Sequence, residues 1–175
     1  IISVAKIQNS VGLIYNSKGH FQKSLEIFTK AYNIAKKENK RYITAVIAGN
    51  IGDTLRQLKK YDLALEKHQE SLHIVKELHL TSTQSIVAGN IADVYIRKGD
   101  FQKAQFYIEQ AFVDIKESQT LFRGVLLGLR AHLHSHNQDF DKAEECFVEG
   151  ESLITDAPYD LFRLLTGSHL DYLAA

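Results

Sequence analysis

Two Gly-Asn dipeptides at matching places in the chain offer chemistry suited to binding a peptide. Gly49-Asn50 lies in the stretch AGNIGD, and Gly89-Asn90 lies in AGNIAD, 40 residues later. A carboxamide both donates and accepts hydrogen bonds, as an extended peptide backbone does. A neighbouring glycine lets a ligand or a helix come close. We interpret both asparagines as contacts to peptide backbone. The alternative is that each bonds to an adjacent helix while the glycines serve packing.

Opposite charges follow each asparagine. Asp53 precedes Arg56 by three residues, and Asp93 precedes Arg97 by four. On a helix these spacings place the two side chains on one face. One interpretation is that the charges pair with each other on a solvated face, which contributes only about 0.2–1 kcal/mol. The other is that they select a ligand of mixed charge.

A histidine pair suggests metal chemistry. His132 and His136 are four residues apart, so a helix would present both on one face. Asp171 on a later helix could complete a set of nitrogen and oxygen ligands of the zinc type. No His-Glu-x-x-His motif and no nearby cysteine accompanies them. We therefore expect no metal and no cofactor, and interpret both histidines as lining a groove or as satisfied within the fold.

The sequence carries no signature of an enzyme. It contains no phosphate-binding glycine loop, no Gly-x-Ser-x-Gly and no paired carboxylates with a positional argument for catalysis. Its single cysteine, Cys146, excludes an intramolecular disulfide and a cysteine-based metal cluster. We expect no catalytic residue in this chain.

The composition narrows the class of partner. The 175 residues include 21 Lys and Arg and 21 Asp and Glu, so the net charge is zero and no global positive field favours nucleic acid. No uncharged stretch approaches the roughly 18 apolar residues of a membrane span. With 45% hydrophobic and 24% charged residues, the chain is typical of a globular protein. We expect a protein or peptide partner, with no nucleic acid and no membrane, in the cytoplasm.

The segments around these residues recur at a fixed step. KGHFQK at 18–23 returns as KGDFQK at 98–103, and fainter copies begin near 59 and 138. Repeats of about 20–50 residues are typical of arrays in which each unit stacks on its neighbours. Two blocks that move together through the chain predict such an array.

Apolar residues within each unit recur at helical spacing. We predict nine helices and no strand, near 2–18, 21–38, 42–58, 61–79, 82–98, 101–117, 121–137, 140–154 and 159–174. The repeats would run 2–40, 41–80, 81–119 and 120–157, with a half repeat at 158–175, in one domain. Gly19 and Gly99 stand where a helix ends and a left-handed residue is favoured. Lys59 and Gln138 take that place in the other repeats, at a cost of about 1 kcal/mol each.

These residues resemble the tetratricopeptide repeat. The matching positions are Gly12, Tyr15, Gly19, Phe21, Phe28 and Ala31 in the first repeat and Ala92, Tyr95, Gly99, Phe101, Ala104 and Ala111 in the third. The second repeat has His68 and Ser71 where the pattern prefers an aromatic residue and alanine. The period of 39–40 residues, against the usual 34, is similar to long-helix variants such as bacterial peptide-pheromone receptors, kinesin light chains and spindle-orientation adaptors.

The resemblance implies an all-α right-handed solenoid of four repeats plus one further helix. First helices would line the concave surface and second helices the convex one, with the asparagines holding a peptide backbone in the groove. The predicted partner-binding residues are Asn9, Val46, Gly49, Asn50, Asp53, Arg56, Ile86, Gly89, Asn90, Asp93, Arg97, His132 and His136. The family's clamp for C-terminal carboxylates uses Lys, Asn and Arg, and only Asn50 agrees, so we expect no binding of chaperone tails.

The leading hypothesis is a sensor or scaffold module that holds an extended peptide or a partner segment within a larger regulatory protein. One alternative is homodimerisation through the ninth helix, whose leucines exceed what one packing face requires. Another is a regulatory domain attached to an enzyme domain outside this chain. Because the chain starts at Ile1 and contains no methionine, we expect it to be a piece of a longer protein.

Overall fold

A computed structural model describes residues 3–116 and 118–154, which form eight α-helices and no strand. The helices are α1 (Val4–Ser17), α2 (Phe21–Lys37), α3 (Arg41–Gln57), α4 (Tyr61–Glu77), α5 (Thr81–Lys98), α6 (Phe101–Asp114), α7 (Thr120–His136) and α8 (Phe140–Ser152). The first eight predicted helices are confirmed to within a few residues at each end. The predicted ninth helix and Asp171 lie outside the described residues.

The helices stack as consecutive antiparallel pairs in a right-handed solenoid. Within the described part of the chain, the backbones of the first helices approach one another, α1 with α3, α3 with α5 and α5 with α7. Those of the second helices, α2, α4, α6 and α8, do not. A stack whose members approach closely on one side curves toward that side, which is how solenoids form concave surfaces. The first helices therefore line the inside of the curve.

Left-handed residues end the first helix of each pair. Gly19 and Gly99 have φ of 77° and 76°, and Lys59 and Gln138 have φ of 58° and 62°. The N–H of the next residue then bonds back to the carbonyl five residues earlier, as from His20 to Tyr15 at 2.9 Å. This is the Schellman closure of a helix end. The four predicted left-handed positions are confirmed.

In each of the first two pairs, a glycine of the first helix packs under a ring of the second helix. A Cβ added to Gly12 would lie 2.5 Å from the ring of Phe28, and one added to Gly52 would lie 2.7 Å from the ring of His68. Ser24 Oγ also donates to the Gly12 carbonyl at 2.9 Å. This packing occupies one face of α1 and of α3.

Candidate functional site

Asparagine and threonine side chains connect the first two helices of the concave surface. Asn50 Nδ2 in α3 donates to Asn9 Oδ1 in α1 at 2.8 Å. Asn16 Nδ2 donates to Thr54 Oγ1 at 2.8 Å, and Thr54 Oγ1 donates to the Asn50 carbonyl at 2.8 Å. Asn50 thus makes the bond to an adjacent helix that was the alternative interpretation of the sequence. Its side-chain carbonyl keeps its acceptor capacity within the described residues.

Asn90 lies in the same register on α5 but has no such partner. Asn50 bonds to the residue 41 positions before it, and the residue 41 before Asn90 is Gly49. The side chain of Asn90 makes no hydrogen bond with any residue that the structure describes. Asn90 is half-buried, and its carboxamide retains two N–H donors and its carbonyl acceptor among the described residues.

Charged residues connect α3 to α5. Arg56 Nη1 donates to Asp93 Oδ2 at 2.5 Å, and Arg97 Nε donates to Asp93 Oδ1 at 3.0 Å. Arg56 Nε lies 3.9 Å from Asp53 Oδ1, so the stronger partner of Arg56 is in the next repeat. The side chains of Asp53 and Arg97 are 35% and 26% exposed, against 9% for Asp93. Asp53 and Arg97 are therefore the most exposed charges of this cluster.

His68 of α4 lies directly behind Asp53 and was not predicted to take part. Its side chain is fully buried, and Nε2 is 3.6 Å from Asp53 Oδ1, too far for a hydrogen bond. Neither ring nitrogen has a partner among the described residues. Burial lowers the pKa of His68, and the nearby Asp53 carboxylate opposes that shift without reversing it. The imidazole is therefore neutral at pH 7.

The histidine pair of α7 packs on Phe101 of α6. The His136 ring stacks on Phe101 with a centroid separation of 3.6 Å, and His132 lies 6.3 Å from the same ring. No group of three or more metal-ligating side chains occurs in the described ranges. The pair connects the third repeat to the fourth through aromatic contact, a role that the four-residue spacing alone did not indicate.

The remaining predicted residues divide between the surface and the packing. Gly89 is buried, and an added Cβ would lie 2.9 Å from Leu126 Cδ2 and Phe122 Cζ. Side chains of α7 fill the space beside Gly89, which favours the packing interpretation at this position. At Gly49 the nearest atom to an added Cβ would be Ser71 Oγ, at 3.7 Å. Val46 is half-buried and Ile86 is 37% exposed.

Within the described ranges, none of the helices has both the length and the apolar character that a bilayer span requires.

Solved structures of other proteins share this architecture. BtubC (BKLC) from P. vanneervenii superimposes with a TM-score of 0.75 at 20% identity, covering 87% of this chain and 63% of that one. The apo form of RapI also gives 0.75, at 19% identity, covering 97% of this chain and 52% of that one. At these identities the likeness concerns the fold.

Curated relatives are longer proteins. KINESIN LIGHT CHAIN-RELATED 2 of Arabidopsis thaliana is 29% identical over 114 residues, 63% of this chain and 17% of the relative. Outer dynein arm-docking complex subunit 4 of Homo sapiens is 31% identical over 91 residues, 51% of this chain and 14% of the relative. The chain therefore spans less than a fifth of either protein.

The family model of the tetratricopeptide repeat matches residues 3–77 and 43–112, which together extend over more than half of the sequence. Solenoids of this kind present extended concave surfaces to other proteins, and the fold is consistent with a scaffold for protein–protein interaction. This match agrees with the helix pairs and with the left-handed residues that end the first helix of each pair. The chain therefore belongs to the tetratricopeptide repeat family.

Proposed function

We propose that this chain is a protein-binding module whose concave surface holds an extended peptide or a partner segment, as part of a larger regulatory protein. The observation that supports the proposal most strongly is the Asn90 carboxamide. It stands on the concave side, it makes no hydrogen bond within the described residues, and Gly49 occupies the place where a partner would stand.

The amide suits a peptide group better than a charged ligand. One N–H of Asn90 donates to a backbone carbonyl of the ligand while its own carbonyl accepts from a backbone N–H. The missing side chain at Gly49 leaves room for the ligand main chain beside the amide. Two such hydrogen bonds, at about 0.5–1.5 kcal/mol each, supply affinity without selecting the ligand sequence.

Selection among ligands falls to the residues around Asn90. Ile86 precedes it by one helical turn and is 37% exposed, offering an apolar contact. Asp53 on α3 and Arg97 on α5 carry opposite charges and keep part of their surface in solvent. Arg56 and Asp93 satisfy each other, and they hold α3 and α5 at a fixed separation. A ligand segment that carries an apolar, a basic and an acidic side chain fits this set of residues.

The relatives are consistent with a role in assembly. One is named as a subunit of a docking complex and another as related to a kinesin light chain. We propose that this chain likewise connects protein components in the cytoplasm. Because solenoids of this family generally serve as scaffolds, we propose no catalytic role for it.

A peptide selection tests the groove. A random peptide library displayed on phage is selected against the immobilised 175-residue chain, and a synthetic version of the enriched sequence is titrated by calorimetry. Asn90→Ala is expected to weaken binding about tenfold, because two hydrogen bonds are lost. The matched control is Asn33→Ala, the same chemical change at an exposed position of the second helix α2. If the two variants bind alike while circular dichroism shows both folded, the groove is not the binding surface.

A further inference from the structure

One face of α1 is apolar and open to solvent. Val4, Ile7, Val11 and Ile14, here called the α1 outer face, are 54%, 53%, 38% and 54% exposed. They are spaced by three, four and three residues, so they form one continuous stripe along the helix. Isolated apolar residues on a surface need no explanation, but a contiguous stripe of this kind marks a contact surface.

The residues at the same register positions are buried in α3 and α5, the first helices of the next two pairs. Forty residues on, in α3, they are Thr44, Ile47, Ile51 and Thr54, at 6%, 0%, 4% and 0% exposure. Eighty residues on, in α5, the last three are Val87, Ile91 and Val94, at 5%, 0% and 0%. Ile47, Ile51, Val87, Ile91 and Val94 are apolar, as the α1 residues are, so their lower exposure comes from what covers them.

The cover in α3 and α5 is the helix pair immediately before each of them. The backbone of α3 contacts both α1 and α2, and that of α5 contacts both α3 and α4. Within α2, the helix that precedes α3, Ala31 and Ala35 are fully buried, which allows close approach. In this fold a preceding helix pair thus buries the residues of this register twice, once in α3 and once in α5.

We infer that the α1 outer face is a stacking surface for another helix pair of the same repeat kind, placed ahead of α1 in the same polypeptide. The superhelix continues through this face, and the concave surface continues with it. Thr54 of α3 accepts a hydrogen bond from Asn16 of α1, the first helix of the preceding pair. Ile14 stands in the same register on α1 and carries no hydroxyl, so the first helix of the added pair supplies an apolar side chain there. The inference does not depend on what the groove binds.

The chain provides its own test element. Residues 41–80 form the pair that precedes α5, and residue 1 corresponds in register to residue 81. A second copy of residues 41–80 joined directly ahead of residue 1 therefore places α3 and α4 on α1 in the spacing that they have on α5. Native-state hydrogen exchange then compares α1 in the extended and the original 175-residue chain. We expect the α1 amides to exchange at least tenfold more slowly in the extended chain.

Two aspartate substitutions identify the face that makes the contact. Ile7→Asp lies on the α1 outer face, and Leu13→Asp lies elsewhere on the same helix, at 47% exposure and in register with Asp53 and Asp93. In the extended chain, Ile7→Asp should abolish the tenfold gain in protection. Leu13→Asp should not reduce it, because Asp93 in the same register on α5 accepts a hydrogen bond from Arg56 of the preceding repeat. In the original chain neither substitution should alter α1 protection by more than about twofold, because both residues are exposed.

Several results would overturn the inference. The first is an extended chain whose α1 exchanges as fast as before, or whose added 40 residues contribute no helical circular dichroism. The second is an equal effect of the two aspartates. The third is a concentration-dependent dimer of the original chain, seen by light scattering and dissociated by Ile7→Asp, which would assign the face to a second copy.

Discussion

Arg56 on α3 and Asp93 on α5 form a direct bond between successive repeats, with Nη1 2.5 Å from Oδ2. The two side chains are 13% and 9% exposed, so water screens their attraction only weakly. Asp93 also accepts from Arg97 of its own helix at 3.0 Å. The carboxylate therefore holds two guanidinium groups, one from each repeat, and sets the separation of α3 from α5.

Removing Arg56 should lower the free energy of unfolding. Arg56→Ala takes away the charge-assisted hydrogen bond that Asp93 accepts from the preceding repeat, so we expect a loss of about 1–3 kcal/mol in urea unfolding. The matched control is Arg41→Ala, which breaks the Arg41–Glu77 ion pair between exposed side chains and should leave the urea midpoint unchanged. Equal losses in the two variants would show that Arg56 has no special structural role.

The buried imidazole of His68 predicts a stability that depends on pH. Burial lowers its pKa in the folded state below the usual 6.5, so the unfolded chain binds the proton more readily. The free energy of unfolding is therefore highest above about pH 6.5. It falls as the pH decreases toward the folded-state pKa of His68, by at most about 1.4 kcal/mol per pH unit. Urea unfolding measured between pH 5 and pH 8 follows this slope.

His68→Phe should remove that pH dependence and raise stability. Phe28 holds the same register 40 residues earlier, above Gly12 as His68 lies above Gly52, so the space accepts a ring. Two buried nitrogens without partners among the described residues disappear, and we expect a gain of about 1 kcal/mol or more at pH 7. The control is His73→Gln on the same helix, where the side chain is 74% exposed. A pH slope that persists in His68→Phe would assign it to other groups.

Alanine substitutions of the two asparagines in the Gly-Asn dipeptides should change the free energy of unfolding differently. Asn50→Ala removes the bond to Asn9, and the unfolding free energy should fall by about 1 kcal/mol. Asn90→Ala removes no hydrogen bond among the described residues and replaces asparagine with the best helix former, so stability should be unchanged or slightly higher. Thermal unfolding of the two variants checks this. A larger loss for Asn90→Ala would mean that its amide has a structural partner.

The repeat pattern predicted the helices because local rules determine them. The spacing of apolar residues, the 40-residue step and the left-handed residues together place eight helices to within a few residues at each end. The left-handed residues are Gly19, Lys59, Gly99 and Gln138. His68 was also within reach of such reasoning. It stands where Phe28 and Ile108 stand in other repeats, opposite Gly52, so a buried imidazole follows from the alignment of the repeats.

The connections between repeats could not be predicted in the same way. Arg56 reaches Asp93 over 37 residues, and Asn50 reaches Asn9 over 41. Which side chains meet at such separations depends on the rotation from one repeat to the next, and no local spacing encodes that rotation. The spacing of Asp53 and Arg56 correctly placed them on one face, but Arg56 finds its closest partner on the next repeat.

The glycines of the two identical dipeptides give the sharpest contrast, because the same substitution should act with opposite signs. An alanine at Gly49 meets nothing nearer than Ser71 Oγ at 3.7 Å, so the gain in helix propensity should dominate and raise stability by about 0.5–1 kcal/mol. An alanine at Gly89 would place its Cβ 2.9 Å from Leu126 and Phe122. The resulting overpacking should cost about 1–3 kcal/mol, more than the propensity gain.

Chemical unfolding of Gly49→Ala and Gly89→Ala measures both signs in one experiment, and each variant serves as the control for the other. Local sequence is the same at the two sites, AGNI in each case, so a difference in sign must come from the neighbouring repeat. At Gly89 that neighbour is α7, whose Phe122 and Leu126 fill the space. Stabilisation by both substitutions would mean that α7 moves aside freely, and then Gly89 could admit a ligand as the sequence first suggested.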